Sequence, residues 1–352
     1  MAKEFYVDSH KLIYHPKRIS DFKENGDCYP IYVEFGLTNA CNHKCIFCAL
    51  DFLTFGGKFI DKDVMLKALK DMADNGVKSV MFAGEGEPLL HKDIGLFAKT
   101  AKNLGLDVSI TSNGVLFNED KIKELLPNLT WIRFSIDAGT KEGYAKIHGT
   151  DIKDFDKLLN NLKKAVKFKK ENNLDVTIGS QFLMIPQNMH EGAILAGILK
   201  EIGLDNLQLK PYAIHPKSIN NLSKDNYDLD KLHEEVMKFD SDDFRVLFRK
   251  ETLDRLKQGF VYNECHGLPF FALVDSKGNI IPCNIFYDDP DFYYGNLNEK
   301  SFSEIWRGNN RKEVIEKIKN KGIHNCRIGC RLDPINRYLQ RLKNPHIHDN
   351  FI

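Results

Sequence analysis

Residues 41–48 read Cys41-Asn42-His43-Lys44-Cys45-Ile46-Phe47-Cys48, a C-x3-C-x2-C spacing. The motif follows directly on Ile31-Tyr-Val-Glu-Phe-Gly-Leu37, an apolar run with the period-two alternation of a strand. In α/β folds, ligands bind at the carboxyl ends of the strands, which is where this loop stands. Three thiolates suit an iron–sulfur cluster; if it is cubane, three protein ligands leave one of four irons open. The alternative is structural zinc, which needs four closing ligands. His43 is the candidate for the fourth, but it lies between the first two cysteines, where one ring can hardly reach.

Outward from this loop, short apolar runs alternate with amphipathic stretches up to about Pro211. Strands are expected over 31–37, 79–83, 106–111, 131–137, 175–183 and 206–210. Helices are expected over 62–75, 93–104, 119–126, 152–172 and 189–202. Regular alternation of this kind makes a parallel sheet with helical crossovers, either a partial or full barrel or an open doubly wound sheet. The strands have two faces. Ile132, Phe134 and Ile136 oppose Arg133, Ser135 and Asp137; Val33 and Phe35 oppose Tyr32 and Glu34; Leu207 and Leu209 oppose Gln208 and Lys210. A closed barrel fills its interior with branched apolar side chains, and a doubly wound sheet is apolar on both faces. Polar inner faces therefore favour a splayed barrel around a wet or ligand-filled cavity. The competing reading is a buried network in which these residues pair with one another.

The chain has 352 residues, 42% apolar and 28% charged, which excludes a disordered polymer. Lys+Arg at 50 and Asp+Glu at 49 nearly cancel, so the basic excess of a nucleic-acid binder is missing. No uncharged run approaches the ~18–20 apolar residues of a membrane span. Met1–Tyr14 carries Lys3, Glu4, Asp8 and Lys11 with no apolar core, so no export signal is expected and the cytoplasm is the expected compartment. Disulfides are rare there, so the eight cysteines need another role. The Lys-rich stretch 163–170 reads as a solvated helix face.

The first cysteine loop resembles that of the radical S-adenosylmethionine (radical SAM) superfamily, C-x3-C-x-aromatic-C, with Phe47 at the aromatic position. The likeness continues along successive strand ends over about residues 30–215. Glu85-Gly86-Glu87-Pro88 is similar to the family's Gly-Gly-Glu-Pro motif, with Glu85 where the family has its first glycine. Ser112 and Asn113 end the third strand, and Ser135 and Asp137 end the fourth. The resemblance implies a partial (β/α)6 barrel with a [4Fe–4S] cluster at Cys41, Cys45 and Cys48. It also implies that Phe47, Glu85, Gly86, Glu87, Ser112, Asn113, Ser135 and Asp137 approach SAM. The implied reaction is reductive cleavage of SAM to a 5′-deoxyadenosyl radical that abstracts hydrogen, fed by an external one-electron donor such as flavodoxin or ferredoxin.

Four more cysteines form a second group, Cys265, Cys283, Cys326 and Cys330. Lys277-Gly278-Asn279 reads as the turn of a hairpin that brings Cys265 and Cys283 onto one site. Four thiolates close a cluster fully, and structural zinc is the alternative. This region is similar to the SPASM domains of radical SAM enzymes. It lacks their central cysteines, so it resembles the shortened twitch form, of the aminocyclitol dehydrogenase type, with one auxiliary [4Fe–4S] cluster. The domain reading is an N-terminal extension (1–30), a barrel (31–218), a linker and helix (219–260), an auxiliary-cluster domain held by metal more than by an apolar core (261–340), and a tail (341–352).

Cys28 precedes the first strand, at the wrong end for chemistry, and reads as packing. Lys210 is either a general base, with a pKa lowered by desolvation, or a substrate contact or partner of Glu34. Glu34 and Arg133 are further catalytic candidates, and Gln208, Tyr212 and His215 are substrate-contact candidates. His10, His15 and His148 carry no assignment beyond surface or packing. The favoured function is net oxidation of a small polar molecule (a sugar, aminosugar or nucleotide-sugar), with one electron passing to the auxiliary cluster. Peptide or protein modification, sugar epimerisation and non-catalytic zinc binding are the alternatives.

Overall fold

The computed structural model describes residues 10–220, 222 and 228–351. Part of the expected polar boundary (221 and 223–227), and the ends of the expected N-terminal extension and tail, lie outside these residues. Helix α1 (Pro16–Asn25) precedes strand β1 (Tyr32–Phe35). Helix and strand then alternate: α2 (Lys62–Asp74), β2 (Ser79–Phe82), α3 (Ile94–Asn103), β3 (Asp107–Ser112), α4 (Glu119–Leu125) and β4 (Trp131–Ser135). There follow α5 (Lys141–His148), α6 (Lys153–Glu171), β5 (Thr177–Met184), α7 (Gly192–Ile202), β6 (Asn206–Pro211), α8 (Leu229–Met237), β7 (Arg245–Phe248) and α9 (Lys250–Gln258). The last part holds β8 (Phe271–Val274), β9 (Asn279–Ile281), β10 (Gly295–Asn296), α10 (Phe302–Arg307), α11 (Asn309–Lys321) and α12 (Asp333–Lys343).

All ten strands form one sheet in the order β10-β9-β8-β1-β2-β3-β4-β5-β6-β7. Every pair from β8 through β7 is parallel, and only the β8–β9 and β9–β10 pairs are antiparallel. Strands β1–β6 are the partial barrel expected from the alternation. The helices form where apolar residues recur at helical spacing. In α2, Met65, Ala68, Leu69 and Met72 face the sheet, and the Asp61 carboxylate caps the first turn by accepting from the amides of Asp63 and Val64. In α6, Phe155, Leu158, Leu162, Ala165 and Val166 are buried while Lys163, Lys164 and Lys167 are exposed, so the lysine run is a solvated face. No helix among the described residues is long and apolar enough to cross a membrane.

The two faces of β4 separate cleanly. Ile132 and Phe134 are buried against the helices, whereas Trp131, Arg133 and Ser135 are half-buried on the inner face. That intermediate exposure is what a polar, accessible interior requires.

Three features depart from the sequence reading. Strand β7 lies within the stretch read as linker and helix and pairs in parallel with β6. It is too short and too flanked by charge to stand out. The hairpin β8–β9 does not fold back on its own region alone, because β8 pairs along β1 and so extends the barrel sheet at its other edge. The C-terminal region also has more apolar packing than the sequence reading expected. Tyr294, Phe302, Trp306, Val314 and Ile318 pack in the same apolar cluster as Val33, Phe35 and Phe82. Arg311, fully buried, binds Asp27 through two hydrogen bonds of 2.6 and 2.8 Å and stacks 3.9 Å over Trp306, fastening α11 to the chain ahead of β1.

Gly86 marks where backbone meets backbone. Its φ is +66°, and a Cβ there would lie 2.2 Å from the Thr38 carbonyl oxygen and 2.4 Å from that of Ala40. Gly105 has φ +80° with nothing within 4 Å of such a Cβ. Gly105→Ala should cost about 1 kcal/mol, the left-handed strain alone. Gly86→Ala should cost about 2–4 kcal/mol, since overpacking adds to that strain. Urea midpoints of the two variants measure the difference, and equal midpoints would refute the close approach.

Candidate functional site: two thiol groups at the carboxyl ends of the strands

The loop of Cys41, Cys45 and Cys48 is clamped from two sides. On one side, the Glu87 amide donates to the Ala40 carbonyl (2.8 Å). On the other, the amides of Lys44 and Ile46 donate to the carbonyls of His148 and Ile147, each at 3.0 Å, at the end of α5. Gly149 caps α5 with φ +57°, and a Cβ there would lie 2.3 Å from the Lys44 carbonyl oxygen. Helix α5 was missed in the sequence, being short with Gly143 in its first turn. That glycine makes room for Glu191, which accepts from the Gly139 and Thr140 amides at 2.7 Å each and so holds the entry to α5.

The three thiols are near enough for charge on one to act on another. Burial pushes Cys41 up to about 11, and the neighbouring carboxylate of Glu87 and the thiol of Cys48 add to the rise. Burial also raises Cys45 well above the usual thiol range, with Asp137, Cys41 and Cys48 contributing. Buried thiols that repel one another as thiolates need a positive centre to ionise, which is the chemistry of a cluster site. A three-thiol loop therefore fits a [4Fe–4S] cluster. A zinc reading would draw on His43, Cys45 and His148, whose ligand atoms lie within 4.8 Å of one another, but it leaves Cys41 and Cys48 without a role.

His148 was given no partner in the sequence reading. It is 1% exposed, with Nδ1 3.4 Å from Cys45 Sγ and Nε2 3.2 Å from the Asp137 amide nitrogen. Asp137 Oδ2 also lies 3.3 Å from Nε2, and Asp137 Oδ1 accepts from the Leu183 amide. A histidine ending a helix before glycine was the available signal, but its target lies 103 residues away in the chain.

The residues expected to approach SAM divide into two sets. Glu87 is buried and its carboxylate is fully engaged: Oε1 accepts from the Leu89 amide (3.0 Å) and the Ser112 hydroxyl (2.7 Å), and Oε2 accepts from the Asn113 amide (2.8 Å). Asn113 Nδ2 in turn donates to Asn42 Oδ1 at 2.8 Å, inside the cysteine loop. Glu87, Ser112 and Asn113 thus fasten the β2 and β3 ends to the loop. Glu85 turns the other way, toward β8, where Oε1 accepts from the Ser276 amide at 2.5 Å. Burial raises its carboxyl pKa. Gly36, just past β1, leaves room for this direction: a Cβ there would lie 2.7 Å from Glu85 Cγ. Gly86 follows the β2 end, and half-buried Ser135 is the last residue of β4. Phe47 packs edge-on against His148, ring centroids 5.5 Å apart.

The second thiol group converges as well. Burial raises Cys265 to about 11, with Cys326 adding to the rise, and raises Cys283 well above the thiol range, with Cys326, Cys265 and Cys330 contributing. Cys330 is raised by burial and by Cys326 and Cys265. Asn336 Nδ2 donates to Cys265 Sγ at 3.4 Å. Four thiols whose charges act on one another fit a closed cluster. Cys28 stands apart. Burial, then Asp27, pushes it up to about 12, and its Sγ faces the Pro269 carbonyl at 3.6 Å in a small apolar cluster with Phe22 and Leu339.

Chain 211–220, after β6, joins the two groups. Asp51 accepts from the Ser218 hydroxyl (3.0 Å) and the Asn220 amide (2.8 Å), and Asn220 Nδ2 donates to the Cys48 carbonyl (3.2 Å). Tyr212 OH donates to Asn220 Oδ1 at 2.9 Å. His215, expected to contact substrate, is instead fully buried with both ring nitrogens engaged. Nδ1 accepts from the Lys217 amide (3.1 Å), so Nε2 donates to the Asn284 carbonyl (3.2 Å) beside Cys283. It is a bridge between the regions.

On the inner face, Glu34 does not pair with Lys210. It pairs with Arg331 from the second cysteine region, and the Tyr32 hydroxyl donates to it at 3.1 Å. That carboxylate is committed and is not a free base. Gln208 is buried on β6, and Lys210 and Arg133 are half-buried. Burial, then Arg327, Arg249, Arg331 and Arg133, bring Lys210 down to about 7. The ammonium is the disfavoured form, so the amine is free above about pH 7. Reductive methylation at graded pH, with peptide mapping, should therefore label Lys210 half-maximally near pH 7. Labelling that rises only near 10.5, with ordinary lysines, would contradict this placement.

Comparison with known proteins accords with this geometry. Residues 36–195 match the radical SAM superfamily, and residues 265–331 match the SPASM iron–sulfur cluster-binding domain. A probable GTP 3′,8-cyclase of Saccharolobus solfataricus is 28% identical over 217 residues, 61% of this chain and 66% of that protein. An S-adenosylmethionine-dependent nucleotide dehydratase of Lacinutrix mariniflava is 37% identical over 120 residues, 33% of this chain and 25% of that protein. The chain thus spans less than two thirds of the length of the curated relatives it matches. Among solved structures, Streptococcus suis SuiB bound to precursor peptide SuiA shares the fold, with TM-score 0.65 and 17% identity over 88% of this chain and 74% of that one. So does anSMEcpe with bound AdoMet, with TM-score 0.56 and 21% identity over 89% of this chain and 95% of that one. With both domain matches falling on the two thiol groups, the chain carries a radical SAM domain over 36–195 and a C-terminal SPASM iron–sulfur cluster-binding domain over 265–331.

Proposed function

We propose that the chain takes a hydrogen atom from a small polar molecule seated against the inner faces of β4 and β6, and that the outcome is a net oxidation. The carrying observation is the accessible polar interior, with Arg133, Gln208 and Lys210, placed beside a chain segment that touches both thiol groups. When bound, the cluster at Cys41, Cys45 and Cys48 with SAM supplies a 5′-deoxyadenosyl radical, and the cluster at Cys265, Cys283, Cys326 and Cys330 supplies a one-electron acceptor. The substrate would then lose a hydrogen atom to the radical, a hydroxyl proton to solvent and one electron to the acceptor. SAM cleavage itself draws one electron from an external donor of the flavodoxin or ferredoxin kind.

The protein's own residues supply position. Glu87 and Asn113 hold the first cysteine loop against the β2 and β3 ends. Arg133, Gln208 and Lys210 are substrate-binding groups. Lys210 serves as a ligand more than as the base, because four guanidinium groups around it favour an anionic guest over a released proton. Two relatives are named for nucleotides, which supports a small molecule over a peptide.

Anaerobic reconstitution should give about eight irons per chain, two clusters of four. Cys45→Ala should halve the iron and abolish 5′-deoxyadenosine formation. Cys283→Ala should keep SAM cleavage but lose substrate oxidation. Zinc in place of iron, or 5′-deoxyadenosine from Cys45→Ala, would overturn the reading, and full oxidation by Cys283→Ala would remove the acceptor role.

A further inference from the structure

The inner face gathers positive charge. Arg133 projects from the middle of β4, Lys210 from near the end of β6, and Arg327 from between Cys326 and Cys330. Arg249 follows β7, its amide bound to the Leu209 carbonyl at 3.1 Å, beside Lys210. These groups come from four separate parts of the fold, so their meeting is a product of the topology and not of one charged stretch.

Arg133 and Lys210 share one face of the sheet: across β5 they stand level with Gly179 and Leu183, positions of the same parity, and Arg249 stands one residue past the Leu209–Phe248 pair, level with Lys210. Burial, then Arg249, lowers Arg133 to about 10, and Arg331 adds to the lowering. Arg327 is the first of the charges that act on Lys210, and it also faces the Cys330 thiol. The carboxylate on this face, Glu34, is taken by Arg331 and Tyr32. Among the described residues no carboxylate pairs with Arg133, Lys210 or Arg327. Arg133 lies 4.7 Å from the Trp131 ring, and Arg327 Nε is buried with no hydrogen-bond partner. Holding like charges together out of water is costly unless an anion joins them.

We propose that Arg133, Lys210 and Arg327 form a binding site for a phosphate or diphosphate group of the substrate, which makes the substrate a phosphorylated small molecule. The proposal rests on reading this interior as the substrate cavity. Guanidinium forks match phosphate oxygens in bidentate pairs, and a lysine adds a point charge. Several cations on separate elements suit a multiply charged group more than one carboxylate. The site also sets direction: with its phosphate held by Arg133, Lys210 and Arg327, the rest of the molecule is left to extend toward the carboxyl ends of the strands, where the first cysteine loop stands.

The test is calorimetric titration of the reconstituted full chain with inorganic phosphate, inorganic pyrophosphate and citrate. Pyrophosphate or phosphate should bind at least tenfold more tightly than citrate, and the tighter of the two tells a diphosphate from a monophosphate guest. Arg133→Gln and Arg327→Gln should each weaken that binding about tenfold or more, while Arg245→Gln, whose guanidinium pairs with Asp240 (3.0 Å), should not. Iron content reports folding; Lys210→Gln, remote in sequence from every cysteine, serves if Arg327→Gln loses its auxiliary iron. Citrate binding as tightly as the phosphates, or variants that bind like the unmodified chain, would overturn the proposal. So would variants that shift only the auxiliary-cluster potential, since the cations would then serve the cluster's charge alone. Intact pyrophosphate binding in a chain that never cleaves SAM would instead defeat the proposed function and leave the anion site standing.

Discussion

Seven thiols gathered in two groups impose the constraint on which the rest of the structure depends. Burial and mutual repulsion keep them from ionising, so each group is stable as a ligand set only around positive charge. Everything nearby holds those thiols where a metal centre can take them. The Glu87 carboxylate locks two strand ends, Asn113 carries that lock into the cysteine loop, and the end of α5 grips the loop from behind. The fold spends several buried polar groups on one loop of eight residues.

The same economy explains how two regions far apart in sequence make one site. Strand β8 lies along β1, so the second thiol group is built on the edge of the sheet that bears the first. Arg331 reaches from that region to Glu34 on β1, and His215 reaches from the end of β6 to Asn284.

Much of this was legible in the sequence because it depends on local pattern. The strand–helix alternation, the polar inner faces and the two cysteine groups are properties of spacing and period. Cys28 was separable from the other seven because it precedes β1. What was illegible depends on long-range approach. Glu85 looked like a ligand-binding carboxylate in its motif, but its direction is set by Gly36 and by the Ser276 amide 191 residues away. His215 looked like a free polar group beside the cavity, but a buried carbonyl claims it. His148 looked idle until α5 delivered it to Cys45. Strand β7 was hidden by its charged flanks, and what the sequence could not show of the β8 hairpin is its pairing along β1.

The central claim is that one thiol group holds a cluster open to SAM while the other holds a closed one. Electron paramagnetic resonance of the anaerobically reduced chain tests this most directly. Two [4Fe–4S] signals are predicted, of which SAM alters one, and that responsive signal should vanish in Cys41→Ala. A spectrum in which SAM changes neither signal, or changes the signal that survives in Cys41→Ala, would contradict the account.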